Sequence, residues 1–363
     1  MDAADLLHYA VERGASDLHL SAGNVPFIRV DGELLPTAFP VLVAAQVLDI
    51  AQSLMPLHKR EEFARSNEAD FAYTLDGVAR FRANVLRQRG SVALAIRQVA
   101  SEGQTFDELR LPAVVQTLAE SRRGLILVTG PTGAGKTTTI AAMLGFINRT
   151  RRAHIVTVED PIEVLHSDDL SLIWQREVGL DTESYAAGLR QVLRQDPDVI
   201  FVGEIRDAAA ATSAIQAAQT GHLVVSTMHT IDAAETVSRI VALFPDREQH
   251  QIRASFAGAL RGIVSQRLLE RIDGRGRIPA VEVLLNNGRV TERIVDQDST
   301  AELTDVIAEG RYDGMQTFDQ ALVQLVHDGL VAEDDARAVA TNPHDFSLAL
   351  SGAGRGIAVA QGA

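Results

Sequence analysis

The sequence predicts an α/β protein in two parts: a small α+β domain, then a larger domain built on a parallel sheet with crossover helices. Three observations predict it. The 363 residues correspond to two domains at roughly 150 residues each. Up to about residue 100, short extended runs separated by glycine turns read as an antiparallel meander. Beyond residue 112, nearly continuous apolar runs alternate with helical patterns, as strands buried on both faces do.

In the first part, Leu6, Leu7, Ala10 and Val11 recur at helical spacing over residues 2–13, and Gly14 suits a helix stop. SDLHLS and PFIRV then read as extended runs, with a turn at Asp31-Gly32. A helical stretch is predicted over 44–65. FAYTL, VARFRANVLRQ and SVALAIRQV follow as successive antiparallel strands, with turns at Asp76-Gly77 and Arg89-Gly90. The domain is predicted over 1–100, and residues 101–112, without clear periodicity, read as a linker.

In the second part, LILVTG, HIVTVED, VIFVGE and HLVVSTMH are the predicted parallel strands of a domain over 113–350. Helical segments are predicted over 247–270, 299–309 and 315–340. The Gly/Ala-rich tail, 351–363, reads as disordered.

Composition narrows the function. Formal charge is −14, which argues against a general nucleic-acid or anionic-membrane binder, since both need a cationic surface. The absence of cysteine excludes disulfides, cysteine metal sites and a thiol nucleophile. No run approaches the ~18 consecutive apolar residues of a membrane span, and the acidic N-terminal stretch lacks the basic and apolar regions of a signal peptide. The expectation is a soluble, cytoplasmic chain.

Gly130-Pro131-Thr132-Gly133-Ala134-Gly135-Lys136-Thr137 fits the phosphate-loop pattern G-x4-G-K-[ST], between an apolar strand and a helix-forming run that opens with Thr138. Its glycines let backbone N–H groups turn inward to cradle phosphates. Lys136 is expected on the β- and γ-phosphates and the Thr137 hydroxyl on Mg²⁺. Glu204, after the apolar run 199–202, is expected at the C-terminal edge of a buried strand, where a carboxylate can hold a metal's water shell or orient the attacking water.

Other groups are less specific. Glu159, Asp160 and Glu163 follow the strand HIVTV and suit a metal–water network, but a solvated acidic loop has the same composition. His222 and His229 bracket a buried strand, with His229 at its C-terminal end, where it could sense a γ-phosphate; a structural histidine reads the same way. Arg80 and Arg82 share a strand face, with Arg97 on the neighbouring strand. They suit either arginine fingers supplied across a subunit boundary or a surface ion-pair ladder. His19 has no metal-ligand partner at a recognisable spacing and reads as structural.

Together these motifs resemble the secretion ATPase superfamily, specifically the PilT/PilU-like type IV pilus retraction ATPases of twitching motility. The resemblance runs from about residue 14 to 320. It is carried by GASDLHLSAG, IRVDGEL, GPTGAGKTT, VEDPIE, QREVGLDTESYAAGLRQVLRQDPDVIFVGEIRD, TGHLVVSTMHT, VSRIVALFP and GMQTFDQAL. It implies a PAS-like N-terminal domain, a RecA-like P-loop ATPase domain with C-terminal helices, and a homohexameric ring. Residues 130–138 would bind ATP; Thr137 and Glu204 would serve Mg²⁺. Glu204 would be the Walker B acid, Glu159 and Glu163 part of an acidic box, and His222 and His229 a histidine box. Arg82 and Arg97 match arginines that approach the nucleotide, and Arg80 and Arg110 match less closely.

Such motors act on an inner-membrane platform protein at the pilus base, on the cytoplasmic side, and can work beside a related assembly or retraction ATPase. Retraction is favoured over assembly because assembly relatives carry an extra N-terminal domain and a four-cysteine zinc module. One stretch departs from the family. Where members carry Ala-Ile-Arg-Asn-Leu-Ile, residues 290–295 read VTERIV, which inverts a local charge and bears on coupling to the platform. The GMQTFDQAL segment also suits the PilU-like branch. Alternatives are an accessory, secretion or DNA-uptake ATPase of the same superfamily and, from other classes, a non-hydrolysing regulatory subunit and a nucleic-acid translocase. The last would need a basic channel with stacking aromatics, against 5% aromatic residues and the net negative charge.

Overall fold

The computed structural model describes residues 2–30, 32–101 and 103–352. The chain divides into two compact units, Met1–Ser101 with Glu163–Leu165, and Glu102–Ile162 with His166–Ala363.

In the first unit, α1 (Ala3–Glu12) starts at Asp2, whose carboxylate accepts the Ala4 N–H, and buries Leu6, Leu7 and Ala10. Gly14 then takes φ +65°, the left-handed conformation that suits glycine. Strands β1 (Asp17–Ser21), β2 (Phe27–Val30) and β3 (Glu33–Pro36) follow. The helix predicted over 44–65 is two helices, α2 (Ala44–Leu54) and α3 (Leu57–Ser66). Met55 is extended and Pro56 is the N-cap of α3, because a proline disfavours helical geometry in the residue before it. Strands β4 (Glu68–Leu75), β5 (Ala79–Gln88), β6 (Ser91–Gln98) and β7 (Ala100–Ser101) complete this part. Six strands form one sheet in the order β3-β2-β1-β6-β5-β4. Strand β3, absent from the sequence reading, is an edge strand exposed along its length, so it lacks the alternation that marks a half-buried strand.

The second unit opens with α4 (Ala113–Ala119), β8 (Gly124–Thr129), α5 (Lys136–Thr150) and β9 (His154–Glu159). The short β10 (Val164–Leu165) pairs with β7 and belongs to the first unit. Then come β11 (Leu172–Glu177), α6 (Tyr185–Val192), β12 (Val199–Val202), α7 (Ala208–Gln219), β13 (Leu223–Met228), α8 (Ala233–Ala242) and α9 (Asp246–Ala259). They are followed by β14 (Leu260–Glu270), β15 (Arg277–Leu285), α10 (Gly288–Val295), α11 (Leu303–Glu309), α12 (Phe318–His327), α13 (Glu333–Val339) and α14 (Pro343–Leu350).

The seven-stranded sheet runs β11-β9-β12-β13-β8-β14-β15, parallel except for the β14–β15 hairpin. Both faces are covered. Along β8, Leu125 and Leu127 pack into one hydrophobic cluster, while Ile126 and Val128 pack into the other. Each fully buried side chain of this kind stabilises the fold by roughly 1.5–3 kcal/mol.

The helix predicted over 247–270 ends at Ala259, and residues 260–270 are a strand. A Cβ at Gly262 would lie 2.7 Å from the Leu284 carbonyl oxygen, so this segment is a close-packed interior strand, selected by its neighbours rather than by local propensity. Residues 299–309 fall in a 3₁₀ turn (Gln297–Glu302) and α11. The segment 315–340 is divided between α12 and α13 by a turn at Gly329, φ +67°. Of the tail expected to be disordered, residues 353–363 lie outside the described residues.

Candidate functional site

Strand β8 is buried at every residue, ends at Thr129, and delivers the loop 130–135 to the N-terminus of α5. Gly130 has φ +142°, and a Cβ there would sit 2.5 Å from the Gln266 carbonyl oxygen. Glycine is needed because the loop is pressed against the backbone of β14. Gly133 and Gly135 are also left-handed, and Gly135 is the N-cap of α5. Below the loop, the Thr129 hydroxyl donates to Ser265 Oγ at 2.8 Å, and Gln266 Nε2 donates to the Thr139 hydroxyl at 2.9 Å. Pro131, Thr132 and Gly133 are exposed, Ala134 and Lys136 buried, and Thr137 and Thr138 half-buried.

Lys136 curls over this loop. Its Nζ donates to the carbonyl oxygens of Gly130 at 2.7 Å and Pro131 at 3.0 Å, and lies 3.5 Å from His229 Nδ1. On the other side of that ring, Nε2 is 3.5 Å from Glu204 Oε1. A lysine ammonium only donates. A hydrogen bond here needs the lone pair on Nδ1, an arrangement that puts the ring hydrogen on Nε2, toward the carboxylate. Lys136, His229 and Glu204 thus form one row along the C-terminal edge of the parallel strands, where open α/β sheets bind ligands.

Glu204 has a second partner that the sequence reading did not assign. Arg206 Nε donates to Glu204 Oε2 at 2.6 Å, and this contact raises the Arg206 pKa above its ordinary value. The Arg206 guanidinium also lies 5.9 Å from the centroid of the Tyr185 ring. Burial, then the carboxylate of Asp160, pushes the Tyr185 hydroxyl well above its usual range, so it stays protonated. Gly203 makes room for that ring: a Cβ there would be 2.8 Å from the Tyr185 hydroxyl oxygen. Arg206 and Tyr185 both stand in the motif string QREVGLDTESYAAGLRQVLRQDPDVIFVGEIRD, but spacing alone marks neither of them.

Glu159 ends β9 on the same edge and is buried. Its Oε1 accepts from the Thr157 hydroxyl at 2.6 Å and from Gln175 Nε2 at 3.1 Å. Glu163 is exposed and belongs to the first unit, and Asp160 precedes a cis-proline, Pro161. His222 lies at the other end of β13 from His229, about 20 Å away at ~3.3 Å per strand residue. Its Nδ1 is 2.9 Å from the Ala217 carbonyl oxygen. Within one chain His222 and His229 do not meet.

In the first unit, Arg82 and Arg97 are direct cross-strand partners, and Asp17 is the partner of Arg97 on its other side. Arg97 Nε donates to Asp17 Oδ1 at 2.8 Å, yet the Arg97 side chain is 73% exposed. Burial alone would raise the Asp17 pKa, but hydrogen bonds from Arg97 and Ser16 outweigh it and hold the carboxyl below the usual range. Arg80 lies close enough to donate to Thr74 Oγ1, at 3.2 Å, and Arg110 is exposed with φ +53°. His19 is held below its ordinary pKa by burial, against the pull of Asp17.

Thr137 and Glu204 are oxygen donors of the kind Mg²⁺ takes. Among the described residues, no cluster of three or more His, Cys, Asp or Glu could hold a metal. That donor set fits an ion completed by phosphate oxygens and water rather than one caged by protein. Likewise among the described residues, no helix is long and apolar enough to cross a membrane.

The family description "Type II/IV secretion system protein" matches residues 3–349. The chain is 41% identical over 346 residues to the type IV pilus retraction ATPase PilT of Pseudomonas aeruginosa, covering 95% of this chain and all of that one. It is 37% identical over 348 residues to the type IV pilus ATPase PilU of the same organism, covering 96% and 91%. A crystal structure of the pilus retraction motor PilT with bound ADP superposes with a TM-score of 0.85 at 43% identity, covering 95% of this chain and 98% of that one. With its nucleotide-binding loop in place and its fold and sequence shared over nearly the whole length, the chain belongs to the type II/IV secretion system protein family, among its PilT-like ATPases.

Proposed function

We propose that this chain is the Mg-ATP-hydrolysing subunit of a homohexameric motor that drives type IV pilus retraction. In this reading it works on the cytoplasmic side of the inner membrane, against a platform protein of the pilus base. The observation that carries the chemistry is the row Lys136–His229–Glu204 beside the loop 130–138. Pilus retraction itself rests on similarity to PilT along nearly the full length of both chains.

The row suggests how hydrolysis proceeds. An incoming triphosphate offers Lys136 charged oxygens in place of the Gly130 and Pro131 carbonyls, and charge-assisted hydrogen bonds are roughly twice as strong as neutral ones. When bound, Mg²⁺ held through Thr137 and Glu204 would neutralise phosphate charge. Glu204 orients the attacking water as general base, and His229, turned by the departing ammonium, reports the γ-phosphate. Glu159 supports the same edge. Arg82 and Arg97 are fingers delivered to a nucleotide bound by another subunit, and Glu163 and His222 complete sites in the assembled ring rather than in one chain.

The test is the hydrolysis rate per subunit across a protein dilution series, with Glu204→Gln alongside. Turnover that collapses on dilution and vanishes in the variant supports shared sites in an oligomeric motor. No turnover in wild type at any concentration sinks the motor reading and leaves a regulatory subunit. The similarity to PilU favours one further reading, an accessory retraction ATPase. Retraction that survives deletion of this chain and fails only on deletion of a second ATPase would select it.

A further inference from the structure

The row Lys136–His229–Glu204 fixes which way a nucleotide lies on the phosphate loop. His229 follows β13 and Glu204 follows β12, so the γ-phosphate end points along the sheet from β8 toward those strands. The nucleoside end then leaves the loop on the other side of β8, where the sheet continues as β14 and β15. At ~4.8 Å per strand, β15 lies roughly 10 Å from β8. The site above gives the far ends of these two strands no part.

Alternate residues of β14 share a face. Gln266 reaches Thr139 on α5, and Leu268 Cδ1 lies 3.6 Å from the point where a Cβ on Gly135 would stand. Glu270 is next on this face, beyond the loop. Across the ladder, Pro279 is the partner of Leu268 and Arg277 the partner of Glu270. Leu268 and Pro279 are half-buried, while Glu270 and Arg277 are exposed. The opposite face belongs to α12, where Leu269 and Ile278 pack with Phe318. A small apolar shelf thus stands beside the loop, rimmed by one carboxylate and one guanidinium.

The turn beyond the shelf is well fastened. Asp273 accepts from Arg271 Nε and from the Arg275 N–H, both at 3.0 Å, and the Ile272 N–H donates to the Leu330 carbonyl oxygen at 3.0 Å. Among the described residues the ion pair of this hairpin is Arg271 with Asp273, which leaves Glu270 and Arg277 out. The backbone that carries them is therefore set before any ligand arrives, which lowers the cost of binding.

We propose that this shelf binds the nucleoside end of ATP: Leu268 and Pro279 pack under sugar and base, Glu270 accepts from the ribose hydroxyls, and Arg277 donates to the ring nitrogens of the purine. A site built to pair a hydroxyl rejects the analogue that lacks it, so Glu270 selects ribonucleotides. This inference rests on the ATPase reading and names the residues that choose its nucleotide.

The experiment measures the affinity of the full chain for Mg-ATP, Mg-2′-deoxyATP and Mg-tripolyphosphate, which has the phosphates and no nucleoside. Wild type is compared with Glu270→Ala and Arg277→Ala. Both variants should bind ATP roughly tenfold more weakly, and tripolyphosphate within about twofold of wild type. Wild type should favour ATP over 2′-deoxyATP by roughly tenfold; Glu270→Ala should lose that preference and Arg277→Ala should keep it. Unchanged ATP affinity in both variants overturns the proposal, as does a preference that is absent from wild type or survives in Glu270→Ala. Should tripolyphosphate binding weaken as well, hydrogen exchange on wild type decides. Residues 268–279 must gain protection with ATP and not with tripolyphosphate, and equal protection by both, or none, overturns the shelf. A wild type that binds ATP and never hydrolyses it fails the motor reading alone, while the affinities still decide the shelf.

Discussion

Arg206 donates to Glu204 across 2.6 Å, two residues along the same loop, while the far oxygen of that carboxylate faces His229. Glu204 is therefore oriented from both sides. Removing its charge and removing its orientation should have different effects. Glu204→Gln keeps the phosphate cradle and is expected to bind ATP normally while turnover drops by about 10²–10⁴-fold, the usual worth of a positioned general base. Arg206→Ala leaves the base but frees its rotamer, and should lower turnover roughly tenfold with affinity nearly unchanged. Steady-state rates with a separate nucleotide-binding titration distinguish the two.

Gly130 tolerates no side chain. In Gly130→Ala the new Cβ meets the Gln266 carbonyl oxygen at 2.5 Å, on backbone that an L-residue rarely adopts. The loop must lift off β14, at a cost of roughly 1–3 kcal/mol. Both a lower Tm and weaker nucleotide binding are expected. An unchanged Tm would show that the loop does not rest on β14.

Stability should depend on pH through Glu282. Its folded pKa is raised from an ordinary 4.5 to about 7. Between those values the folded chain holds a proton that the unfolded chain has released, so the contribution of this group to stability falls as pH rises through that window, then levels off. Denaturant unfolding near pH ~5 and ~8 should show this fall in wild type and a flatter profile in Glu282→Gln.

Arg97 is paired with Asp17 yet largely exposed, so its guanidinium can engage a second anion. If it serves a nucleotide on another subunit, Arg97→Ala should abolish most turnover of the assembled protein and leave nucleotide affinity at the phosphate loop intact. Normal turnover by an assembled Arg97→Ala protein would falsify the finger role.

Much of the fold was legible because its signals are local. Fully apolar runs such as LILV and VIFV, each with a glycine within two residues of its end, have few folded alternatives, and the helix of residues 2–13 shows its period in a dozen residues. The misreadings fell where the deciding contact is remote. Residues 260–270 become a strand because β8 and β15 lie on either side, and β3 forms on an edge with no buried face. Met55-Pro56 was a local break that helical periodicity across 44–65 obscured.

The sequence by itself determined the phosphate loop, the acid at the end of the apolar strand, and the alternation of strands and helices around them. Each depends on residue types at fixed spacing along the chain. Only the tertiary structure decided what those residues touch. It set Lys136, His229 and Glu204 in one row, placed Arg206 on Glu204, kept His222 a strand length away from His229, and brought the Ala233 amide onto Glu282, 49 positions along the chain. The reason is that a parallel sheet collects the C-terminal ends of strands distant in sequence along one edge. Contacts there depend on strand order and register, which no local spacing encodes.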